Sequence, residues 1–137
     1  MARSSRGLAS PSGTHPQSAW TLNEGDCLQG LVGLADGSAG RSTWNGGGSH
    51  GVFIVNKGGD SRTGHQTQKP VALMELLVRL FSDKGQLILD PFARSGTTGV
   101  AAIRLGRRFL GREMDSTYVS IARRRLEAAR EQLELGV

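Results

Sequence analysis

The segment Leu87 to Ala102, with the sequence LILDPFARSGTTGVAA, places an acid and several small polar residues directly after a short apolar run. Such a run, followed by small helix-forming residues, predicts a β-strand, a tight loop and a helix. In open α/β units, ligands bind beyond the carboxyl ends of the strands, where the first amides of a helix are free. The loop therefore predicts a ligand site, and its candidate residues are Asp90, Phe92, Ser95, Gly96, Thr97 and Thr98.

The same loop excludes a Walker A motif and completes no dinucleotide fingerprint. A Walker A motif requires Gly-Lys-Ser/Thr, and no lysine lies in this loop. Gly96 and Gly99 could supply the last two glycines of a dinucleotide fingerprint, but Arg94 occupies the place of the first. The carboxylate of Asp90 would repel a pyrophosphate, whereas it would attract a cation.

A second acid, Glu113, ends the run RFLGRE, close to the spacing of about 20 residues at which an acid binds a ribose. A nucleoside cofactor with a cationic group would satisfy both acids, and S-adenosylmethionine is such a molecule. Its ammonium would bind Asp90, its carboxylate the helix amides, and its ribose Glu113. Simpler alternatives are that Asp90 forms a turn or cap, that Thr97 and Thr98 cap the helix, and that Glu113 is a solvated acid paired with Arg112 or Arg123.

The second half of the chain contains the elements that would position this loop. Helical spacing predicts a helix from Pro70 to about Phe81, capped by Thr67 or Gln68, with an inner face of Val71, Met74, Leu77, Val78 and Phe81. QLILD and RFLGRE predict strands, with a helix from Thr97 to Leu105 between them that Gly106 ends. Asp115 or Ser116 would cap the last helix, whose inner face would be Tyr118, Ile121, Ala122, Ala129 and Leu133. This order predicts parallel strands joined by a right-handed crossover.

The first half of the chain is rich in glycine and serine and predicts little regular structure. We expect a disordered tail over residues 1–19 and one domain over 20–137, divided into a loop-rich part at 20–60 and a ligand-binding half at 64–135. The loop-rich part offers a possible strand around Trp20 to Leu22, a weak helix from Leu28 to Leu34 and the strand-type run GVFIVN. AGRSTWNGGGSH is loop by composition.

The formal net charge of +5 suits a polyanionic partner, although many ordinary soluble proteins are equally basic. The arginines between Arg104 and Arg130 fit a solvated helix face better than a nucleic-acid groove. A single cysteine, Cys27, excludes an intramolecular disulfide and favours a reducing compartment, so a cytoplasmic location is expected. No apolar run approaches the roughly 20 residues that span a bilayer, and no membrane association is expected.

The sequence HQTQKPVALMELLVRLFSDKGQLILDPFARSGTTGVAAIRLGRRFLGREMDSTYVSIARRRLEAA closely resembles the C-terminal part of amino-group DNA methyltransferases. These are adenine-N6 or cytosine-N4 enzymes whose cofactor motif follows the catalytic motif. The segment LNEGDCLQGLVGLADGS resembles their opening segment. The resemblance implies an α/β class, a partial Rossmann-like S-adenosylmethionine-dependent methyltransferase fold with a parallel sheet, DNA as a partner, and a place in restriction-modification.

The resemblance also implies a cofactor site. Asp26 and Cys27 would lie on the adenine side, while Thr67 and Lys69 would lie near the methionine end. The cofactor loop would consist of Asp90, Phe92, Ser95, Gly96 and Thr97, and Glu113 would bind the ribose.

The chain departs from the family at its catalytic motif. The family carries Asp/Asn/Ser-Pro-Pro-aromatic, which holds the flipped base, and no Pro-Pro pair occurs in this sequence. Gln66 also replaces a usual Pro, and Arg94 a usual Gly. We therefore expect an internally deleted or truncated homologue that is inactive alone, with no catalytic residues of its own.

Two alternatives remain open for this chain. One is a non-catalytic module that binds the cofactor or a complementing subunit, and the other is a basic DNA-binding protein without a cofactor. Because central strands of the family sheet are missing, an exposed apolar helix and open sheet edges would favour a homo-oligomer or a partner chain.

Overall fold

The computed structural model describes residues 19–25, 43–48, 52–55 and 68–136. Within these ranges the elements are β1 (Trp20–Glu24), α1 (Val71–Phe81), β2 (Leu87–Asp90), α2 (Thr97–Arg104), β3 (Arg108–Glu113) and α3 (Ser116–Leu135). The strands form a parallel sheet in the order β1-β3-β2. Phe109 of the central strand pairs with Trp20 on one side and with Ile88 on the other. The α/β class with a parallel sheet is confirmed.

The hydrophobic core lies where α2 and α3 pack on one face of this sheet. Phe109, Ile103 and Leu126 are its largest fully buried side chains. On the opposite face of the sheet Leu87 and Leu89 of β2 are exposed. Exposed apolar surface was expected from the missing strands.

Helix α1 begins at Val71, one residue later than predicted, and Pro70 is its N-cap with a ψ of 135°. Pro70 forms no side-chain cap hydrogen bond, and because it occupies the N-cap position, the predicted N-cap at Gln68 is wrong; Thr67 lies outside the described residues. Val71 and Val78 are buried as expected. Phe81 is 58% exposed, so its assignment to the inner face is wrong. Its ring packs outside the core against Trp44, with 5.2 Å between ring centroids.

Helix α2 ends just before Gly106, as predicted from the sequence. Gly106 has a φ of 72°, and its amide donates to the Ile103 carbonyl at 2.9 Å. The Arg107 amide donates to the Ala102 carbonyl at 2.8 Å, which completes a Schellman motif. This compact end turns the chain directly into β3.

Helix α3 is capped by Asp115, whose carboxylate accepts from the amides of Thr117 and Tyr118 at 2.7 and 3.2 Å. Its predicted inner face is only partly correct. Ala122 and Ala129 are buried, but Tyr118 and Ile121 are half-buried and Leu133 is exposed. The buried face consists of Val119, Ala122, Leu126 and Ala129, because the helix is rotated to bring Ala122 against Gly96 of the loop before α2.

The first half of the chain is described only in part. The strand at Trp20 is confirmed and extends to Glu24. The strand predicted from GVFIVN is wrong over residues 52–55, where Val52 and Ile54 are 79% and 94% exposed and no strand partner is present. The weak helix from Leu28 to Leu34 and residues 1–18 of the predicted tail lie outside the described residues. None of the helices described is both long enough and apolar enough to cross a bilayer.

Candidate functional site

A cavity of about 430 Å³ lies at the carboxyl end of β2, between the loop after this strand and the start of α1. This is the position at which open α/β sheets bind ligands. The residues that line the cavity are Gln68, Lys69, Met74, Leu89, Asp90, Phe92, Ala93, Arg94, Ser95, Thr97 and Thr98. Six residues predicted for the site are therefore brought together here: Lys69, Asp90, Phe92, Ser95, Thr97 and Thr98.

The N-terminus of α2 opens onto this cavity. Gly96 is the N-cap in the left-handed region, with a φ of 74°, and no side chain caps the helix. The alternative in which Thr97 and Thr98 are capping residues is therefore wrong. Among the residues described, the amides of Thr97, Thr98 and Gly99 donate to no protein acceptor. Free amides at a helix N-terminus attract an anion, and Thr97 and Thr98 line the cavity.

Asp90 forms a turn and also lines the cavity. Its Oδ1 accepts from the Phe92 amide at 3.0 Å, which is the turn-forming alternative considered from the sequence. Within the described part of the chain, Oδ2 accepts from no protein donor. The carboxylate therefore has an oxygen left for a cationic ligand group.

Glu113 lies outside the cavity lining, and its carboxylate accepts three backbone amides. Oε2 accepts from Arg94 at 2.8 Å, while Oε1 accepts from Met114 and Asp115, each at 3.0 Å. The side chain is half-buried, and no arginine of the described ranges forms a salt bridge with it. The alternative of a solvated acid paired with Arg112 or Arg123 is therefore wrong.

Gly96 also lies outside the cavity lining. A Cβ added to it would lie 3.0 Å from the Cβ of Ala122 in α3. The glycine is needed both for this close contact and for its positive φ. Gly96 therefore shapes the loop from the side that faces α3.

Arg94 is the one non-glycine residue with a positive φ among those described, at 44°. An L-residue in the left-handed region costs roughly 1–2 kcal/mol relative to the right-handed one. The hydrogen bond from the Arg94 amide to the Glu113 carboxylate holds the backbone in this conformation, and the exposed side chain lines the cavity.

Sequence reasoning missed Arg125, which it assigned to a solvated helix face. One guanidinium nitrogen, Nη1, donates to the Ser95 carbonyl at 2.6 Å, to Ser95 Oγ at 3.1 Å and to Thr97 Oγ1 at 3.1 Å. No local signal marked it, because whether an arginine on a charged helix turns inward depends on how that helix packs.

Three predicted residues, Asp26, Cys27 and Thr67, lie outside the described residues. The end of β1 is described, and the Gly25 amide donates to the Glu113 carbonyl at 2.9 Å. The carboxyl ends of β1 and β3 therefore lie side by side.

The cavity combines one carboxylate, two free amides and the apolar side chains of Met74, Leu89 and Phe92. A carboxylate binds an ammonium group, and helix amides bind a carboxylate. Phe92 is 70% exposed and provides an apolar rim. The arrangement fits a ligand with a zwitterionic amino-acid group attached to a larger, less polar body.

Comparisons with known proteins find similarity to DNA methyltransferases. Type II methyltransferase M2.DpnII of Streptococcus pneumoniae is 54% identical over 67 residues, which are 49% of this chain and 25% of that protein. DNA adenine methyltransferase YhdJ of Escherichia coli (strain K12) is 46% identical over 70 residues, which are 51% of this chain and 24% of that protein. The matches thus span about a quarter of the length of these curated relatives.

The crystal structure of the M1.HpyAVI-SAM complex superposes with a TM-score of 0.55 and 33% identity, covering 64% of this chain and 45% of that chain. This similarity confirms the partial methyltransferase fold that the resemblance implied. A family model described as DNA methylase matches residues 4–124. Since this match covers most of the sequence, the chain belongs to the DNA methylase family.

Proposed function

We propose that this chain is the cofactor-binding portion of a site-specific DNA methyltransferase that acts on adenine N6 or cytosine N4, and that its cavity binds S-adenosyl-L-methionine. One observation carries the proposal: the Asp90 carboxylate and the unpaired amides of Thr97 and Thr98 share a single cavity. The relative M1.HpyAVI has a crystal structure as a complex with SAM.

Each end of the cofactor has a partner in the proposed site. The ammonium group binds Asp90, the carboxylate binds the amides of Thr97 and Thr98, and Lys69 lies near the same end. Ser95 forms the loop wall, and Phe92 provides apolar contact. By resemblance, Thr67 belongs to the methionine end, and Asp26 and Cys27 to the adenine side.

We propose that Glu113 binds the ribose, but with fewer hydrogen bonds than a carboxylate without backbone partners could accept. A carboxylate has about four acceptor sites, and backbone amides already occupy three of those on Glu113. One site remains for a hydroxyl group. We therefore propose a single ribose hydrogen bond at this residue.

The bound cofactor supplies an electrophilic methyl group, and the residues of this chain bind and orient it. Transfer to DNA also requires a pocket for the flipped base, which the family builds with its Pro-Pro-aromatic motif. Since the sequence contains no Pro-Pro pair, we propose that the chain is an internally deleted homologue that does not transfer the methyl group alone. A complementing subunit that carries the motif would restore the reaction on DNA.

The alternative of a basic DNA-binding protein without cofactor receives less support. Arg104 pairs with Glu75 at 3.3 Å and Arg130 pairs with Glu134 at 2.7 Å. Arg125 binds the loop, and the buried Arg107 donates to the Ser82 carbonyl at 2.7 Å. These four arginines are engaged within the protein, which weakens the case for a DNA groove.

Calorimetric titration with S-adenosyl-L-methionine tests the cofactor site. Asp90→Asn keeps an oxygen that can accept from the Phe92 amide and removes the negative charge. Loss of a charge-assisted hydrogen bond should weaken binding about 10- to 100-fold. Glu127→Gln, on an exposed position of α3, is the control and should bind like the parent. A parent that does not bind overturns the proposed cofactor.

A methyl-transfer assay tests the second half of the proposal. The chain alone, with cofactor labelled in its methyl group and double-stranded DNA, should incorporate no label. Turnover by the purified chain would overturn the proposed need for a complementing subunit, while leaving the cofactor site intact.

A further inference from the structure

The guanidinium of Arg125 connects α3 to the loop that follows β2. Its Nη1 reaches the Ser95 carbonyl at 2.6 Å, and the hydroxyls of Ser95 and Thr97, both at 3.1 Å. Ser95 and Thr97 are themselves buried, 6% and 7% exposed, and their hydroxyl oxygens lie 3.5 Å apart. One cationic group therefore fixes the residues on both sides of Gly96.

Close packing of α3 places Arg125 in reach of the loop. A Cβ on Gly96 would lie 3.0 Å from the Cβ of Ala122, and a Cβ on Gly99 would lie 2.5 Å from Leu126 Cδ2. Ala122 and Leu126 flank Arg125 on the inner side of α3. The two glycines allow the helix to approach so closely that a side chain at position 125 meets the loop backbone.

One of the two residues held by Arg125, Thr97, also carries a free amide. Thr97 is the first residue of α2, and the amides of Thr97 and Thr98 donate to no acceptor in the described part of the chain. The guanidinium also brings positive charge to the N-terminal end of α2, where the amides already favour an anion. Arg125 therefore affects both the orientation and the electrostatics of the anion-binding end of the cavity.

We infer that Arg125 is a positioning residue of this cavity: it holds Ser95 and Thr97 so that the amides of Thr97 and Thr98 face the carboxylate of the ligand. This inference rests on the proposed function. It assigns a role in ligand recognition to a residue of α3 that does not line the cavity. A general stabilising role predicts a different result, because it would weaken the binding of every ligand of the site equally.

Two ligands separate these roles. S-adenosyl-L-methionine carries the amino-acid group, and 5′-methylthioadenosine is the corresponding nucleoside without it. Arg125→Leu should weaken binding of S-adenosyl-L-methionine about tenfold, as expected for lost charge-assisted contacts, and change binding of the nucleoside less than about twofold. Arg124→Leu, at the adjacent exposed position, should change neither affinity. Equal losses for both ligands overturn the inference.

Arg125→Lys provides the conservative variant, because an ammonium group has three donors for the same three acceptors. It should recover part of the lost affinity. If Arg125→Leu does not fold, Thr97→Val removes one acceptor with little change in shape, and it should show the same selective loss. A Thr97→Val variant that binds both ligands like the parent would overturn the inference.

Hydrogen exchange in the ligand-free chain keeps this inference separable from the proposed function. Arg125→Leu should speed exchange of the hydrogen-bonded amides of Gly96 and Val100 at least about tenfold, while amides within β3 exchange as in the parent. A parent that binds neither ligand overturns the proposed function only. Unchanged exchange at Gly96 and Val100 overturns the positioning role, whatever the ligand titrations show.

Discussion

The backbone amide of Arg94 donates a 2.8 Å hydrogen bond to Glu113 Oε2, so the last residue of β3 holds the loop that follows β2. Beside it, the Ala93 amide donates to the Arg112 carbonyl at 2.8 Å. The other oxygen of Glu113 accepts from Met114 and Asp115 in the turn before α3. A single carboxylate thus connects the cavity loop, the end of the central strand and the start of the last helix.

Replacing Glu113 with Gln should destabilise the protein. The amide side chain offers one acceptor oxygen, and its NH₂ group would face a backbone donor of Arg94, Met114 or Asp115. Leaving such a donor unsatisfied costs about 1–3 kcal/mol, which urea denaturation would measure as a loss in the free energy of unfolding. Glu134→Gln disturbs only an exposed pair with Arg130 and should cost less than about 0.5 kcal/mol. Equal losses in the two variants would contradict the connecting role.

Replacing Arg94 with Gly should stabilise the fold and tighten cofactor binding. The φ of 44° costs an L-residue roughly 1–2 kcal/mol, and the entropy cost of Gly offsets about half of that, so we expect a gain of about 0.5–1 kcal/mol. The hydrogen bond to Glu113 is retained because the backbone amide of residue 94 donates it. Thermal unfolding and calorimetric titration measure the two effects.

Arg94→Ala separates the backbone from the side chain. It keeps the cost of a positive φ and removes the guanidinium from the cavity rim. If side-chain intrusion limits binding, Ala and Gly should tighten it alike, whereas only Gly should raise the stability. A clear loss of affinity in both variants would identify Arg94 as a ligand of the cofactor and contradict the prediction.

The strand-loop-helix order around the cavity was predictable because its signals are local. Short strand-type runs and flanking turns located β2 and β3, Gly106 ended α2, and Asp115 capped α3. The position of the loop at a strand end then followed from the parallel topology. These features depend on residues that are close in sequence.

The rotation of α3 and the role of Arg125 were not predictable, because both depend on how one helix crosses another. The face of α3 is set by the contact of Ala122 with Gly96, two elements away in the chain. An arginine among many on a charged helix carries no local sign that it turns inward. Glu113 was found by its spacing, yet its hydrogen bond from the amide of Arg94, a residue of another loop, follows from tertiary structure.

Asn45 illustrates the same limit within residues 43–48, the described part of a segment that composition assigned to a loop. Its backbone amide donates to the Leu80 carbonyl at 2.7 Å, and its Nδ2 donates to the Arg79 carbonyl at 2.9 Å and the Ser82 carbonyl at 3.1 Å. A residue far away in sequence thus satisfies the last carbonyls of α1.

Asn45→Asp should therefore destabilise the protein more than Asn45→Ala. Alanine removes the side-chain donors at a cost of about 1 kcal/mol. Aspartate also points a negative charge at helix carbonyls and at Asp83, whose Oδ1 lies 3.2 Å from Asn45 Nδ2. Denaturant unfolding at neutral pH measures the order of the two variants, and an aspartate variant as stable as the alanine one would contradict the capping role.

Gly99→Ala should disrupt the packing of α2 on α3. The added Cβ would lie 2.5 Å from Leu126 Cδ2 and 2.6 Å from Phe109 Cε1, and both side chains are fully buried. Overpacking of this kind costs about 1–3 kcal/mol of the free energy of unfolding. Gly48→Ala is the matched control, since a Cβ there meets nothing within 4 Å. If both variants unfold at the same denaturant concentration, the result would contradict the close packing of α2 on α3 at Gly99.

The N-cap of α3 should make part of the stability depend on pH. Hydrogen bonds from the backbone amides of Tyr118 and Thr117 hold the pKa of Asp115 below its usual value of 3.8. Because the folded state favours the ionised carboxylate, its contribution is present above the unfolded pKa and is lost as pH falls through the lower, folded pKa. Replacing Asp115 should therefore lower the stability of the protein at neutral pH and lower it less in acid.

Melting temperatures of the parent, Asp115→Ala and Asp115→Asn between about pH 7 and pH 2.5 test this prediction. The alanine variant should melt below the parent by a constant amount at the higher pH values, and the difference should shrink once the pH falls below 3.8. Asparagine keeps an oxygen acceptor for the amides of Thr117 and Tyr118 and does not titrate. It should melt above alanine at every pH, with a separation that stays constant. A difference between parent and alanine that is as large at pH 2.5 as at neutral pH would show that ionisation of Asp115 does not contribute to the cap.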